Sequence, residues 1–179
     1  LVDRKDDFAD RFRRRLSEAG VTVNGITADR QLPDSARLLT MQTHSVRQVL
    51  RRMMKVSDNL HAESLFYQLA ASGGTRWASA RQARQYACSL FSRIGLNPRD
   101  YYVADGSGLS LYNYVSTELE TRLLRYAYQH PEIYEALHEA LPIAGVDGTL
   151  RKRMRGTTAA GNVRAKTGTV KGVSSLAGY

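Results

Sequence analysis

The sequence predicts a mixed α/β (α+β) chain, helical through its middle and extended at its end, on three observations. Apolar residues recur at helical spacing in several segments between Ser45 and Leu141. From Gly161 to Tyr179 the β-branched residues Val163, Thr167, Thr169, Val170 and Val173 favour extended backbone. Hydrophobic content of 42% and charged content of 24% are globular values, and 179 residues can bury a substantial core. No apolar run approaches the ~20 residues needed to span a bilayer.

In chain order, Asp3 to Ala19 reads as a helix with Phe8, Phe12, Leu16 and Ala19 on one face and Gly20 ending it. Val21 to Val23 reads as a short strand closed by Asn24-Gly25, Gln31 to Ser35 as loop, and Arg37 to Thr43 as a second strand. Ser45 with Gln48 forms a capping-box pattern ahead of the stripe Val46, Val49, Leu50, Met53 and Met54. A second stripe, Leu60, Leu65, Phe66, Leu69 and Ala70, follows Ser57-Asp58-Asn59. After the Ser72-Gly73-Gly74 loop, a helix is predicted over Thr75 to Ile94, with Trp77 and Tyr86 as partly buried anchors. Tyr101 to Ala104 reads as a short strand leading into the loop Asp105-Gly106-Ser107-Gly108-Leu109-Ser110. Thr117 and Glu120 give another capping box, and Pro131 opens a last helix to about Leu141.

The net charge of +9 is concentrated at one end: Gly148 to Tyr179 holds no acid and seven cations, namely Arg151, Lys152, Arg153, Arg155, Arg164, Lys166 and Lys171. Such a field attracts nucleic acid, anionic envelope polymer or a substrate carboxylate. Charge alone suggests a nucleic-acid-binding module, against which stands the lack of a reader motif or aromatic stacking pattern. Cys88, the only cysteine, makes no internal disulfide and reads as a small core residue. His44, His61, His130 and His138 lack metal-ligand spacing, so no metal or cofactor is expected.

Two short stretches carry the chemistry. Lys166-Thr167-Gly168-Thr169 sets a lysine at the start of an edge strand able to pair with an extended peptide, its ammonium meeting a carboxylate. Alone, that tripeptide equally describes a hairpin with an exposed lysine. Ser57-Asp58-Asn59, between two apolar stripes, equally describes an interhelical cap.

Together, however, these are two of three signatures of penicillin-recognising serine enzymes. Between them lie Ala104-Asp105-Gly106-Ser107-Gly108-Leu109-Ser110 and Leu141-Pro142-Ile143-Ala144-Gly145-Val146-Asp147-Gly148-Thr149-Leu150. Gly156 to Thr169 extends the match. From about Phe8 onward the chain resembles the class C low-molecular-mass penicillin-binding proteins, serine D-Ala-D-Ala carboxypeptidases and endopeptidases of bacterial peptidoglycan. The resemblance implies the penicillin-binding, β-lactamase-like transpeptidase fold: an antiparallel sheet with a helical cluster and the groove between them. Only a partial domain is expected here, the helical part and the first strands.

The third signature, Ser-x-x-Lys, is missing: the residues three before Lys5, Lys55, Lys152, Lys166 and Lys171 are Val2, Arg52, Thr149, Val163 and Gly168. With Leu1 opening the chain, this reads as a substrate-side fragment of something longer, without its nucleophile or the family's final strands and helix. The resemblance implies acyl transfer, with Ser57 relaying a proton to the leaving amine and Asn59 holding the motif lysine and a substrate carbonyl. It also implies that Lys166 supplies positive charge, that Thr167 and Thr169 assist at the carboxylate, and that the Thr169 N–H is an oxyanion donor. Gly168 and Val170 would line the peptide's strand, and Leu109 and Leu111 the side-chain pocket. Many members carry arginine where Leu111 stands, so a weaker preference for a free side-chain carboxylate is expected. Implied partners are peptidoglycan stem peptides, β-lactams and the remainder of the same protein; the implied location is periplasmic or outer envelope. A non-catalytic peptidoglycan-binding fragment is the other reading.

Overall fold

The computed structural model describes residues 3–25, 31, 33–74 and 77–179, which group into two units, Leu1–Gln42 and Thr43–Tyr179. In the first, Asp3 accepts a hydrogen bond from the Lys5 N–H at 2.8 Å and starts helix α1, Arg4–Glu18. Asp6 and Asp7 in its first turn suit the helix dipole. Gly20, at φ +78°, ends it: the Gly20 N–H donates to Ser17 O at 3.0 Å and the Val21 N–H to Leu16 O at 2.8 Å. The two predicted strands, Val21 to Val23 and Arg37 to Thr43, pair with nothing among the described residues. β-Branched residues supply the propensity, but a strand exists only where a neighbour completes its ladder. Leu32, within the predicted 31–35 loop, lies outside the described residues.

The second unit holds α2 (Val46–Val56), α3 (Asn59–Ala71), α4 (Ala80–Arg93), α5 (Thr117–Tyr128) and α6 (Pro131–Ala140). Ser45 caps α2, accepting from the Gln48 N–H while Gln48 accepts from the Ser45 N–H, the full capping box. Helix α4 starts later than predicted. Ser79 and Gln82 form its capping box, Trp77 and Ala78 precede it, and Thr75 and Arg76 lie outside the described residues. A strong cap thus overrides upstream residues of acceptable helix propensity. Trp77 is 80% exposed rather than an anchor. On α5 the cap is Ser116, which accepts from the Leu119 N–H at 3.2 Å, one residue before the predicted Thr117.

The core gathers Phe66 and Ala70 of α3 against Ala83 of α4, with Phe91, Leu119, Ala127 and Ala140 also buried. Not every stripe residue is covered: Val46 and Leu60 remain largely exposed, because periodicity marks the apolar face without fixing how much of it is packed. Tyr101 to Ala104 forms a single bridge, Tyr102 to Tyr114, instead of a strand. After α6 the segment 141–150 runs inward, with Leu141, Pro142 and Leu150 fully buried. It leads to an antiparallel hairpin, β1 (Ala165–Val170) and β2 (Val173–Gly178), with Ala165 opposite Gly178 and Val170 opposite Val173. Helices with a small antiparallel sheet make the α+β class seen in the sequence. None of the described helices is long and apolar enough to cross a membrane.

Candidate active site

Ser57 ends α2 in a left-handed conformation, φ 58° and ψ 51°, its N–H donating to Met53 O. A left-handed cap lets the chain reverse at once into α3, whose N-cap is Asp58. The Asp58 carboxylate accepts from the His61 N–H at 3.1 Å and from Arg52 Nε at 3.2 Å. His61 Nδ1 also comes within 3.0 Å of it, close enough for attraction though without a well-formed hydrogen bond. The His61 ring and N–H, with Arg52 adding to them, hold the carboxyl down to about 2. Asn59 begins α3 with its side chain exposed.

Lys166 reaches this corner from β1. Its Nζ donates to Ser57 Oγ at 2.9 Å and to Thr167 O. Burial pushes the Lys166 ammonium below its ordinary value. A hydroxyl in contact with such an ammonium can pass a proton onward while the positive charge stays in place. The Arg164–Tyr179 pair exchanges both backbone hydrogen bonds at 2.8 Å. By antiparallel alternation Lys166, Gly168 and Val170 bond to β2, so the backbone groups of Thr167 and Thr169 point to the opposite edge. That edge is unpaired at Thr169 among the described residues.

Of the remaining predicted residues, Thr167, Gly168, Thr169 and Val170 share β1 with Lys166. The Thr167 hydroxyl donates to the Thr149 hydroxyl at 3.0 Å. At Gly168 the close neighbour is Ser175: an added Cβ would lie 2.4 Å from its Oγ. Val170 closes β1 at the hairpin turn. Leu109 and Leu111 stand exposed on the 105–113 loop, and no described contact joins them to Ser57 or Lys166. Their loop is nonetheless fastened to the helix that Asn59 begins. Glu63, one turn along α3, accepts from the Gly106 and Ser107 N–H groups at 3.2 and 3.0 Å. Asp105 accepts from the Gly108 and Ser110 N–H groups and from Asn113. Burial would raise the Asp105 carboxyl, but these hydrogen bonds outweigh it and hold it low.

Sequence reasoning passed over Glu63, Thr149, Lys55 and Asp147, all of which hold the site together. Only Gly106, whose absent side chain admits Ala62 O, hinted at the Glu63 contact. Among the described residues no group of three or more histidines, cysteines or acids could hold a metal. A groove of about 820 Å³ runs elsewhere, along α5 and the end of α4, lined by Arg93, Arg122, Arg125 and Tyr126.

The D-Ala-D-Ala carboxypeptidase 3 (S13) family profile matches residues 1–179. A D-alanyl-D-alanine carboxypeptidase DacB of Haemophilus influenzae is 35% identical over 96% of this chain and 36% of its own length. A D-alanyl-D-alanine carboxypeptidase of an Actinomadura species is 36% identical over 94% of this chain and 32% of its own. The chain therefore spans about a third of the length of these curated relatives. The crystal structure of penicillin binding protein 4 (dacB) from H. influenzae, complexed with a β-lactam, superposes with a TM-score of 0.83 at 34% identity. That match covers 99% of this chain and 42% of the other. A penicillin G-acylated predatory endopeptidase of Bdellovibrio bacteriovorus matches at 25% identity and TM-score 0.56, over 74% of this chain and 34% of its own. A match along the whole chain, in sequence and in fold, places this polypeptide in the D-Ala-D-Ala carboxypeptidase 3 (S13) family.

Proposed function

We propose that this chain forms the proton-relay and substrate-strand side of a serine-type D-Ala-D-Ala carboxypeptidase, possessing DD-endopeptidase chemistry by the same route. One observation carries the proposal: Lys166 Nζ lies 2.9 Å from Ser57 Oγ across 109 residues of sequence, beside an open strand edge. No serine here stands three residues before a lysine, so the attacking serine lies outside these residues and associates with them in the complete protein. That serine attacks the carbonyl between two D-alanines of a peptidoglycan stem peptide and its own motif lysine takes the proton. Ser57 then passes a proton to the leaving amine, and the Lys166 charge favours that transfer and attracts the terminal carboxylate.

Asn59 orients the motif lysine and the substrate's amide. The Thr169 N–H, on the open edge, is one oxyanion donor; losing such a donor costs about 3 kcal/mol of transition-state stabilisation. Gly168 and Val170 back the peptide strand, Thr169 assists at the carboxylate, and Leu109 and Leu111 border the side-chain pocket. The Thr167 hydroxyl donates to Thr149 and reaches the carboxylate only by turning away. β-Lactams acylate the same serine, and the substrate places the enzyme in the periplasm or outer envelope.

The test uses the longest natural polypeptide containing this chain and a fluorescent penicillin. Lys166→Ala is expected to slow covalent labelling ~100-fold or more, within the range of general acid–base effects. A folded Lys166→Ala protein labelled at the parental rate sinks the proposal.

A further inference from the structure

Two charged groups beside the site have no part in the chemistry just proposed. Lys55, in the last turn of α2, has only 14% of its side chain exposed. Its Nζ donates to Asp147 Oδ2 at 2.6 Å and to Leu141 O at 2.6 Å. The other carboxylate oxygen, Asp147 Oδ1, accepts from the Ile143 N–H at 2.8 Å. Burial would raise the Asp147 carboxyl, yet the Lys55 ammonium and the Ile143 N–H outweigh it and keep it below its ordinary value. The next residue, Gly148 at φ +54°, presses on the same helix end: a Cβ there would sit 2.6 Å from Lys55 O. Segment 141–150 is thus fastened to the helix two residues before Ser57.

Its other flank is fastened to the strand that carries Lys166. The Ala165 N–H donates to Pro142 O at 3.0 Å and the Ala144 N–H to Val163 O at 2.9 Å. Ile143 bridges Arg164, and Thr149 accepts from Thr167 at 3.0 Å. One partly buried strap therefore grips both partners of the Ser57–Lys166 contact. A half-buried ion pair is a poor source of stability, since desolvation offsets much of the attraction. Its directional hydrogen bonds instead hold one geometry, here the depth at which the end of α2 meets the strap.

We propose that Lys55 and Asp147 are positioning residues that set the distance from Ser57 to Lys166, and so govern proton transfer without touching substrate. The inference rests on the relay role proposed for Ser57. Misplacing a reacting group by about 1 Å can cost on the order of 100-fold in rate.

The experiment is a double-mutant cycle of acylation by a fluorescent penicillin in the longest natural polypeptide containing this chain. Ser57→Ala is expected to lower the acylation rate constant about 100-fold. Asp147→Asn should lower it roughly 10- to 100-fold, with the dissociation constant of the non-covalent complex changed less than about 3-fold. Because the pair acts through Ser57, adding Asp147→Asn to Ser57→Ala should change the rate less than about 2-fold. Losses that multiply would mark a general structural role and overturn the inference. So would folded Asp147→Asn protein acylated at the parental rate while Ser57→Ala is slow. If Ser57→Ala itself keeps the parental rate, the relay role fails first and the positioning role with it. Should Asp147→Asn not fold, Lys55→Gln, which keeps a donor for Leu141 O, runs the same cycle; failure of both to fold would also overturn the positioning role.

Discussion

Asp58, the middle residue of Ser57-Asp58-Asn59, turns its charge to structure rather than chemistry. Its ordinary value is 3.8, and the His61 and Arg52 contacts lower it to about 2, so the folded chain prefers the carboxylate. The resulting stabilisation is fully present above pH 3.8 and is lost as pH falls through about 2. Asp58→Asn is therefore expected to flatten the decline of melting temperature between those values, read by circular dichroism across an acid series. An acid profile identical to the parent's would remove that account. At this scale the meeting of Ser57 with Lys166 was legible because the two belong to short signatures whose order along the chain is itself information. Lys55 and Asp147 were not, since a single lysine ending an apolar stripe has the same pattern whether it faces water or a buried carboxylate 92 residues away.

Among the elements, the helices were legible and the isolated strands were not. Helix α2 carries its own start signal in Ser45 and Gln48, and the backbone hydrogen bonds that build it are local. Val21 to Val23 carries the propensity of a strand, but pairing depends on residues elsewhere, which no local pattern reveals. The extended backbone at the end of the chain was readable from its β-branched residues, and there a ladder forms because β1, β2 and their turn are adjacent in sequence. The 105–113 loop shows what bracing permits. Glu63, Asp105 and Asn113 hold its backbone while Leu111, 91% exposed, contributes little to its hold. Leu111→Arg should therefore move stability by less than about 0.5 kcal/mol. It should also raise the relative rate on stem peptides with a free side-chain carboxylate over their amidated forms, measured by competition. Unchanged relative rates would exclude Leu111 from the side-chain pocket.

For the molecule as a whole, the strap 141–150 matters more than its irregular backbone suggests. Leu150 is 0% exposed, and a large-to-small change at so closed a position costs about 2–5 kcal/mol. Leu150→Ala is expected to lower the urea midpoint with an unchanged slope; a midpoint matching the parent's would mean that the strap is not part of the cooperative core. Its place beneath the site was hidden in the sequence, where Leu141 to Leu150 resembles a loop between a helix and a hairpin. The backbone of Ser57 has a further consequence at this scale. An L-residue in the left-handed region forgoes roughly 1–2 kcal/mol that glycine would keep. A screen ranking variants solely by the heat they survive would thus favour Ser57→Gly, reporting a sturdier protein while discarding the hydroxyl that faces Lys166.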